Sequence, residues 1–266
     1  GINIATSNGA VTINSIDGDH DETVTINSGS GAVTVGRIGG ASQLTATADG
    51  IKSVSITSSH ATGITLTGNI NTSEVAGNNV SFTGAVVIDG NVDIDTNTDS
   101  QDGTLTFTST IRGTDNTANS QDNLIIDTGT GAITFNASTI IGGANKPLDT
   151  LKINVSDSDE ALTIPQIGKT GTTDAGVTGQ VDIGNTTATA TVSMRDALYN
   201  FGAGDVTINA VSTGTGTTFA KSDADVNVNL AGGGFAINNK MKITNGTLDI
   251  NSGIGTAGGN ITITGA

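Results

Sequence analysis

The sequence predicts an all-β fold: a right-handed parallel β-helix running as one domain over residues 1–266, with a short helical or irregular insertion near 165–202. Three observations point to it. One short unit recurs along the whole chain, its interior alternates strictly between apolar and polar residues, and its copies lie too far apart for tight hairpins. A β-sandwich is the alternative, but it would call for longer strands, aromatic core residues and primed hairpin turns.

The unit is Gly, any residue, an aliphatic, Thr or Asp, then a second apolar residue. It reads Gly9-Ala10-Val11-Thr12-Ile13-Asn14 and Gly31-Ala32-Val33-Thr34-Val35 near the start, and Gly90-Asn91-Val92-Asp93-Ile94 and Gly131-Ala132-Ile133-Thr134-Phe135 further on. Later copies are Gly179-Gln180-Val181-Asp182-Ile183, Gly204-Asp205-Val206-Thr207-Ile208, Gly246-Thr247-Leu248-Asp249-Ile250 and Gly259-Asn260-Ile261-Thr262-Ile263. Period-2 alternation sends the aliphatics to one side of a short strand and Thr, Asp or Asn to the other. Gly and Asn between units supply turns at positive φ. Val11 to Val33 is 22 residues and Val33 to Val54 is 21; an interleaved series, Val24, Leu44, Ile64, steps by 20. Two strands every 20 or so residues is the spacing of a stacked coil. About a dozen coils at ~4.8 Å each would give a rod on the order of 60 Å long.

Two stretches depart from the unit. Pro165 ends the strand Leu162-Thr163-Ile164, because it has no N–H to give a central ladder. Farther on, Met194, Leu198 and Phe201 fall on one helical face between Ser193, with Asp196 three residues later, and Gly202. That is the pattern of a short capped helical turn.

Composition narrows the function. Lys and Arg number 10 against 25 Asp and Glu, a net charge of −15 that repels nucleic-acid backbones. The 266 residues hold no Cys and no Trp, with aromatics at 3%, so disulfides, thiolate chemistry and aromatic sugar platforms have no supply. His20 and His60 are the only histidines. No apolar run is long enough to span a bilayer as a helix, and no signal peptide opens the chain. The expectation is therefore that a leader has been removed or that the chain is a piece of something longer. The arginines, Arg37, Arg112 and Arg195, have no carboxylate and lysine constellation at coil spacing, so no catalytic residue is assigned and the chain is expected not to be an enzyme.

Acidic clusters are the remaining candidates. Asp17, Asp19 and Asp21 alternate as in a calcium loop, but no Gly or Glu stands where such a loop needs it. Asp93, Asp95, Asp99 and Asp102 form a second group; Asp157, Asp159 and Glu160 form a third. Solvated loops explain the same letters, so no metal site is assigned. Calcium is the hard cation considered for these clusters, and no cofactor is assigned.

The strings Gly103-Thr104-Leu105-Thr106-Phe107-Thr108-Ser109-Thr110-Ile111, Gly131 to Ala137, Leu148-Asp149-Thr150-Leu151-Lys152-Ile153 and Gly258 to Ile263 resemble repeats of large secreted bacterial surface proteins. These are the filamentous-haemagglutinin-like and autotransporter-like adhesins. The resemblance implies export to the extracellular cell surface, a stalk or filament role and no catalytic residues. No cap is visible at either end of the coil series, so self-association through open β-helix ends is expected, head to tail. Host or environmental glycans are the other partners considered, with no nucleic acid and no membrane insertion. The alternatives are a surface-layer protein assembling laterally with calcium, and a glycan-binding module.

Overall fold

The computed structural model describes residues 1–18, 22–40, 50–72, 77–98, 101–115, 121–142, 146–153, 161–169, 174–187, 189, 191–210, 215–221, 224–244, 246–253 and 258–264. They form a parallel β-solenoid with three flat faces per coil. The first face starts with Ile2–Ala5 and continues through Glu22–Asn27, Ile51–Thr57, Val80–Thr83, Leu105–Phe107 and Ile133–Phe135. A separate four-stranded sheet, Ala161–Ile164, Thr191–Met194, Gly216–Phe219 and Met241–Ile243, follows it up the rod. The second and third faces are one sheet, because Val11–Ile16 and Val33–Ile38 turn the corner between them without a break. Every registered pairing is parallel except a small hairpin, Asn97–Thr98 with Gln101–Asp102. Parallel pairing between coils excludes the sandwich, whose sheets are antiparallel.

Inward side chains stack in columns along the axis. On the third face the column is isoleucine throughout: Ile16, Ile38, Ile70, Ile94, Ile126, Ile153, Ile183, Ile208, Ile237 and Ile263. On the second face Val11, Val33, Ile64, Val86 and Ile111 lead through Tyr199 to Ile250. β-branched side chains have one stiff rotamer and fill such columns without rearranging.

Two details of the expected geometry are corrected. Coils are longer and less regular than 20–22 residues, from 22 (Val11 to Val33) to 32 (Ile38 to Ile70), so the chain makes fewer than a dozen coils. Val54 pairs with Val24 on the first face, and Ile64 pairs with Val33 on the second. Leu44 lies outside the described residues. The second correction concerns 165–202. Ala161–Ile164 does end at Pro165, but the coils then continue through Gln166–Ile167, Val181–Ile183, Thr191–Met194 and Leu198–Phe201. The expected helical turn at 193–202 is two strands around a corner. Tyr199 and Phe201 alternate inward with period 2, and Met194 is the last inward residue of the strand before.

Tyr199 can sit in the core because its hydroxyl is satisfied there. It accepts a hydrogen bond from the Asp196 N–H (2.8 Å) and donates to the Ile164 carbonyl (3.2 Å), tying the corner to the strand of the coil beneath. Tyr199→Phe should leave the Asp196 N–H without that acceptor and the Ile164 carbonyl with only the Arg195 N–H at 3.4 Å, and cost about 1–3 kcal/mol in chemical denaturation. A loss below the scatter of repeat denaturation curves would mean that the hydroxyl does not brace this corner.

The corners reuse one device. Asn27-Ser28-Gly29-Ser30-Gly31 and Asp127-Thr128-Gly129-Thr130-Gly131 turn with Gly29 and Gly129 at positive φ, 58° and 55°. In each, the buried hydroxyl donates back to the last glycine's carbonyl, Ser28 to Gly31 (2.5 Å) and Thr128 to Gly131 (2.6 Å). The preceding Asn27 or Asp127 accepts from the Gly29 or Gly129 N–H at 3.1 and 3.0 Å. Thr72 and Thr96, fully buried, make the same kind of bond to the Asn78 and Gly103 carbonyls. These hydroxyls satisfy carbonyls that no ladder reaches.

Candidate functional surfaces

The outer sides of the three faces differ in chemistry. On its six-stranded part, the first face presents rows of short uncharged side chains at alternate positions, including Thr25 and Asn27, Ser55 and Thr57, Ser81 and Thr83, and Thr106 and Thr108. Neighbouring rungs link up, Ser81 donating to Ser55 (3.3 Å) and Thr104 to the Asn79 side chain (2.8 Å). On the second face, in the upper coils, an amide ladder runs along the axis. Asn229 donates to Asn200 (2.7 Å) and Asn251 donates to Asn229 (3.0 Å).

Charge gathers on the third face. Strands Asn91–Asp95 and Asn123–Asp127 pair in register, which sets Asp95 directly against Asp127, with Asp93 two residues along the same outer side. The Asp95 carboxylate accepts from the Asn97 N–H at 2.8 Å. Burial pushes the Asp95 carboxyl up to about 6; the Asn97 N–H opposes this, while Asp127 and then Asp93 add to it. Burial and then Asp127 also raise Asp93. The ionised form of Asp95 is therefore disfavoured in the fold relative to an unfolded carboxyl near 4. Its penalty is fully present above about pH 6, shrinks as pH falls through that value and vanishes below about pH 4. Allowing for its partial exposure, stability should rise by about 1 kcal/mol between pH 7.5 and 5. Asp95→Asn should gain that amount at pH 7.5 and flatten the profile; equal pH slopes in the two proteins would refute this origin.

The other acidic positions do not converge. Asp17 pairs with Arg37 (2.5 Å), and Asp102 accepts from the Thr130 N–H (3.0 Å) and hydroxyl. Asp19, Asp21, Asp99, Asp157, Asp159 and Glu160 lie outside the described residues. Among the described residues no three His, Cys, Asp or Glu side chains are grouped to hold a metal ion. Asp127, which completes the third-face row, was overlooked in the sequence. Aligning Asn123-Leu124-Ile125-Ile126-Asp127 on Asn91-Val92-Asp93-Ile94-Asp95 would have found it. Arg112 and Arg195 donate to the Thr62 and Asn136 carbonyls (3.3 and 2.7 Å), Arg37 to Gly39, so all three arginines brace backbone.

Two shallow depressions mark the third face. One, about 420 Å³, is lined by Asn69, Asn91, Asp93, Asn123, Lys152 and Gln180. The other, about 540 Å³, lies near the last coil beside Asp205, Thr207, Gly234 and Asn260.

The two ends of the coil stack differ from its middle. Among the described residues the exposed large apolar side chains are Ile2 (37%), Ile243 (44%), Ile261 (45%) and Ile263 (43%), all in the first or last coil, whereas Val24 and Val54 in the column of Ile2, and Ile208 and Ile237 in the column of Ile263, are buried. A scan against protein-family models, a search of curated proteins and a search of solved structures each found no match to this chain.

Proposed function

We propose that this chain is a structural, non-catalytic rod, a section of an extracellular surface structure such as an adhesin stalk or filament. The observation that supports this reading best is the isoleucine column, which continues from Ile16 to Ile263 without substitution while the outer walls vary coil by coil. Selection for axial continuity is what a load-bearing rod requires, because each coil is held only by its neighbours. A net charge of −15 keeps such rods from clumping side to side. Negative-stain electron microscopy of the purified chain should show unbranched rods one coil wide, unchanged by a calcium chelator. Flat lattices that dissolve on chelation would favour the surface-layer alternative, and compact particles would overturn the rod.

One observation favours a second reading, glycan binding. The 420 Å³ depression gathers four amide side chains, one carboxylate and Lys152 on a rigid sheet. Retention on immobilised neutral polysaccharide, lost in Lys152→Ala with Gln180→Ala, would support it.

A further inference from the structure

We infer that the third-face depression seats a cationic saccharide, a hexosamine polymer whose free amine is held by Asp93. This inference rests on the glycan-binding reading and adds the class of sugar.

Two rows of outward side chains build the seat. Strand pairing puts Asp93, Ile125, Lys152 and Asp182 in one row along the axis, and Asn91 and Asn123 in the row beside it. The lining, from Asn69 to Gln180, comes from five successive coils. At the usual strand spacing that is roughly 20 Å, room for several sugar rings. Ile125 is half-buried and is the one apolar side chain between Asp93 and Asp182 in its row. A pyranose has an apolar face of C–H groups, and Ile125 gives that face a floor in a chain without tryptophan. Asn91, Asn123 and Gln180 stand beside it with amide donors and acceptors for ring hydroxyls. Both rows lie on paired strands, so little order has to be gained on binding.

Charge selects among sugars. Lys152 is the one cation lining the depression, and its ammonium already faces the Asp182 carboxylate at 3.7 Å. An anionic sugar therefore finds no unanswered positive charge. Asp93 is the opposite case. It forms no ion pair among the described residues, and Asp95 and Asp127 follow on the same outer side. Burial and then Asp127 raise the Asp93 carboxyl, and an ammonium placed there would offset both. A hydroxyl or an N-acetyl group at the same point brings no charge to do so.

The test measures, by calorimetry on the full chain, the affinity for three tetrasaccharides: a β-linked glucosamine tetramer, its fully N-acetylated form and the matching glucose tetramer. The buffer is one in which the amines are protonated. The amine tetramer should bind about tenfold more tightly than the other two, and the margin should shrink as salt rises. Asp93→Asn, which should melt no lower than the parent, should erase the margin and leave the affinity for the glucose tetramer unchanged. Ile125→Thr keeps a β-branched strand residue and should weaken all three sugars roughly fivefold. Equal affinities for the three sugars in the parent would overturn the amine seat and leave glycan binding standing. Absence of binding by any sugar would defeat both. Tetralysine bound as tightly as the amine tetramer, with Ile125→Thr making no difference, would identify a seat for cationic peptide and overturn the sugar.

Discussion

Phe107→Ala is expected to destabilise the rod by about 4 kcal/mol, among the largest single effects available to this chain. Phe82, Phe107 and Phe135 occupy one inward column of the first face on successive rungs. Their ring centroids are 5.3 and 5.7 Å apart, with planes 22° and 7° from parallel. Phe107 is the middle ring and fully buried, so its removal opens a cavity and deletes two ring contacts, each worth roughly 1 kcal/mol beyond area burial. The coils above and below cannot slide together to fill the gap, because their spacing is set by the ladders on three faces. Phe107→Leu should recover about half of the loss. The measurement is urea denaturation followed by circular dichroism and, separately, by fluorescence of Tyr199, the chain's one tyrosine, which sits several coils away. If coils unfold as neighbour-coupled units, the two signals should part in Phe107→Ala and coincide in the parent. A shift under 1 kcal/mol would mean that the column tolerates a hole, and the account of the core would be wrong.

The position of this column also shows what the sequence made legible. Period-2 alternation placed strands correctly because a strand half inside a coil must alternate, whichever face it lies on. The face itself was not legible. Gly31-Ala32-Val33-Thr34-Val35 and Gly131-Ala132-Ile133-Thr134-Phe135 are near-identical units with near-identical corners, yet the first lies on the second face and the other on the first face. Gly90-Asn91-Val92-Asp93-Ile94 lies on the third. The unit encodes a corner and a strand, and the length of each intervening loop decides which face comes next. Counting from unit to unit therefore gave two strands per coil where the chain makes three.

The candidate site was less legible still, for a related reason. The row of Asp93, Asp95 and Asp127 exists only through the 32-residue offset between two strands, which no local motif announces. The Met194-to-Phe201 stretch failed differently. Tyr199 reads as half polar in a sequence, whereas the Asp196 N–H and the Ile164 carbonyl let it count as a core residue.

Gly103→Ala should be nearly as damaging as the loss of Phe107, about 3 kcal/mol, although it adds a single methyl group. The glycines that open the units were expected to serve left-handed turns. Gly90 and Gly246 do so, at φ 98° and 71°, whereas Gly31, Gly103, Gly131, Gly204, Gly233 and Gly259 have no positive φ. The role of these six is close approach between coils. A Cβ at Gly103 would collide with the Asn78 carbonyl, and that carbonyl already accepts the buried Thr72 hydroxyl at 3.1 Å. The Gly103 carbonyl in turn accepts from Thr96 at 2.8 Å. Relief would require the coils to separate at that corner, stretching hydrogen bonds on both adjoining faces at once. Gly9→Ala, where a Cβ would meet only Thr6 side-chain atoms at 3.5 Å and beyond, should change the melting temperature little. The pair separates two causes. If both alanines were tolerated, coil approach would not be limiting; if both were damaging, backbone flexibility at the unit's first residue would explain the glycine instead. Damage at Gly103 alone identifies axial contact as the reason for glycine at the unit openings without positive φ.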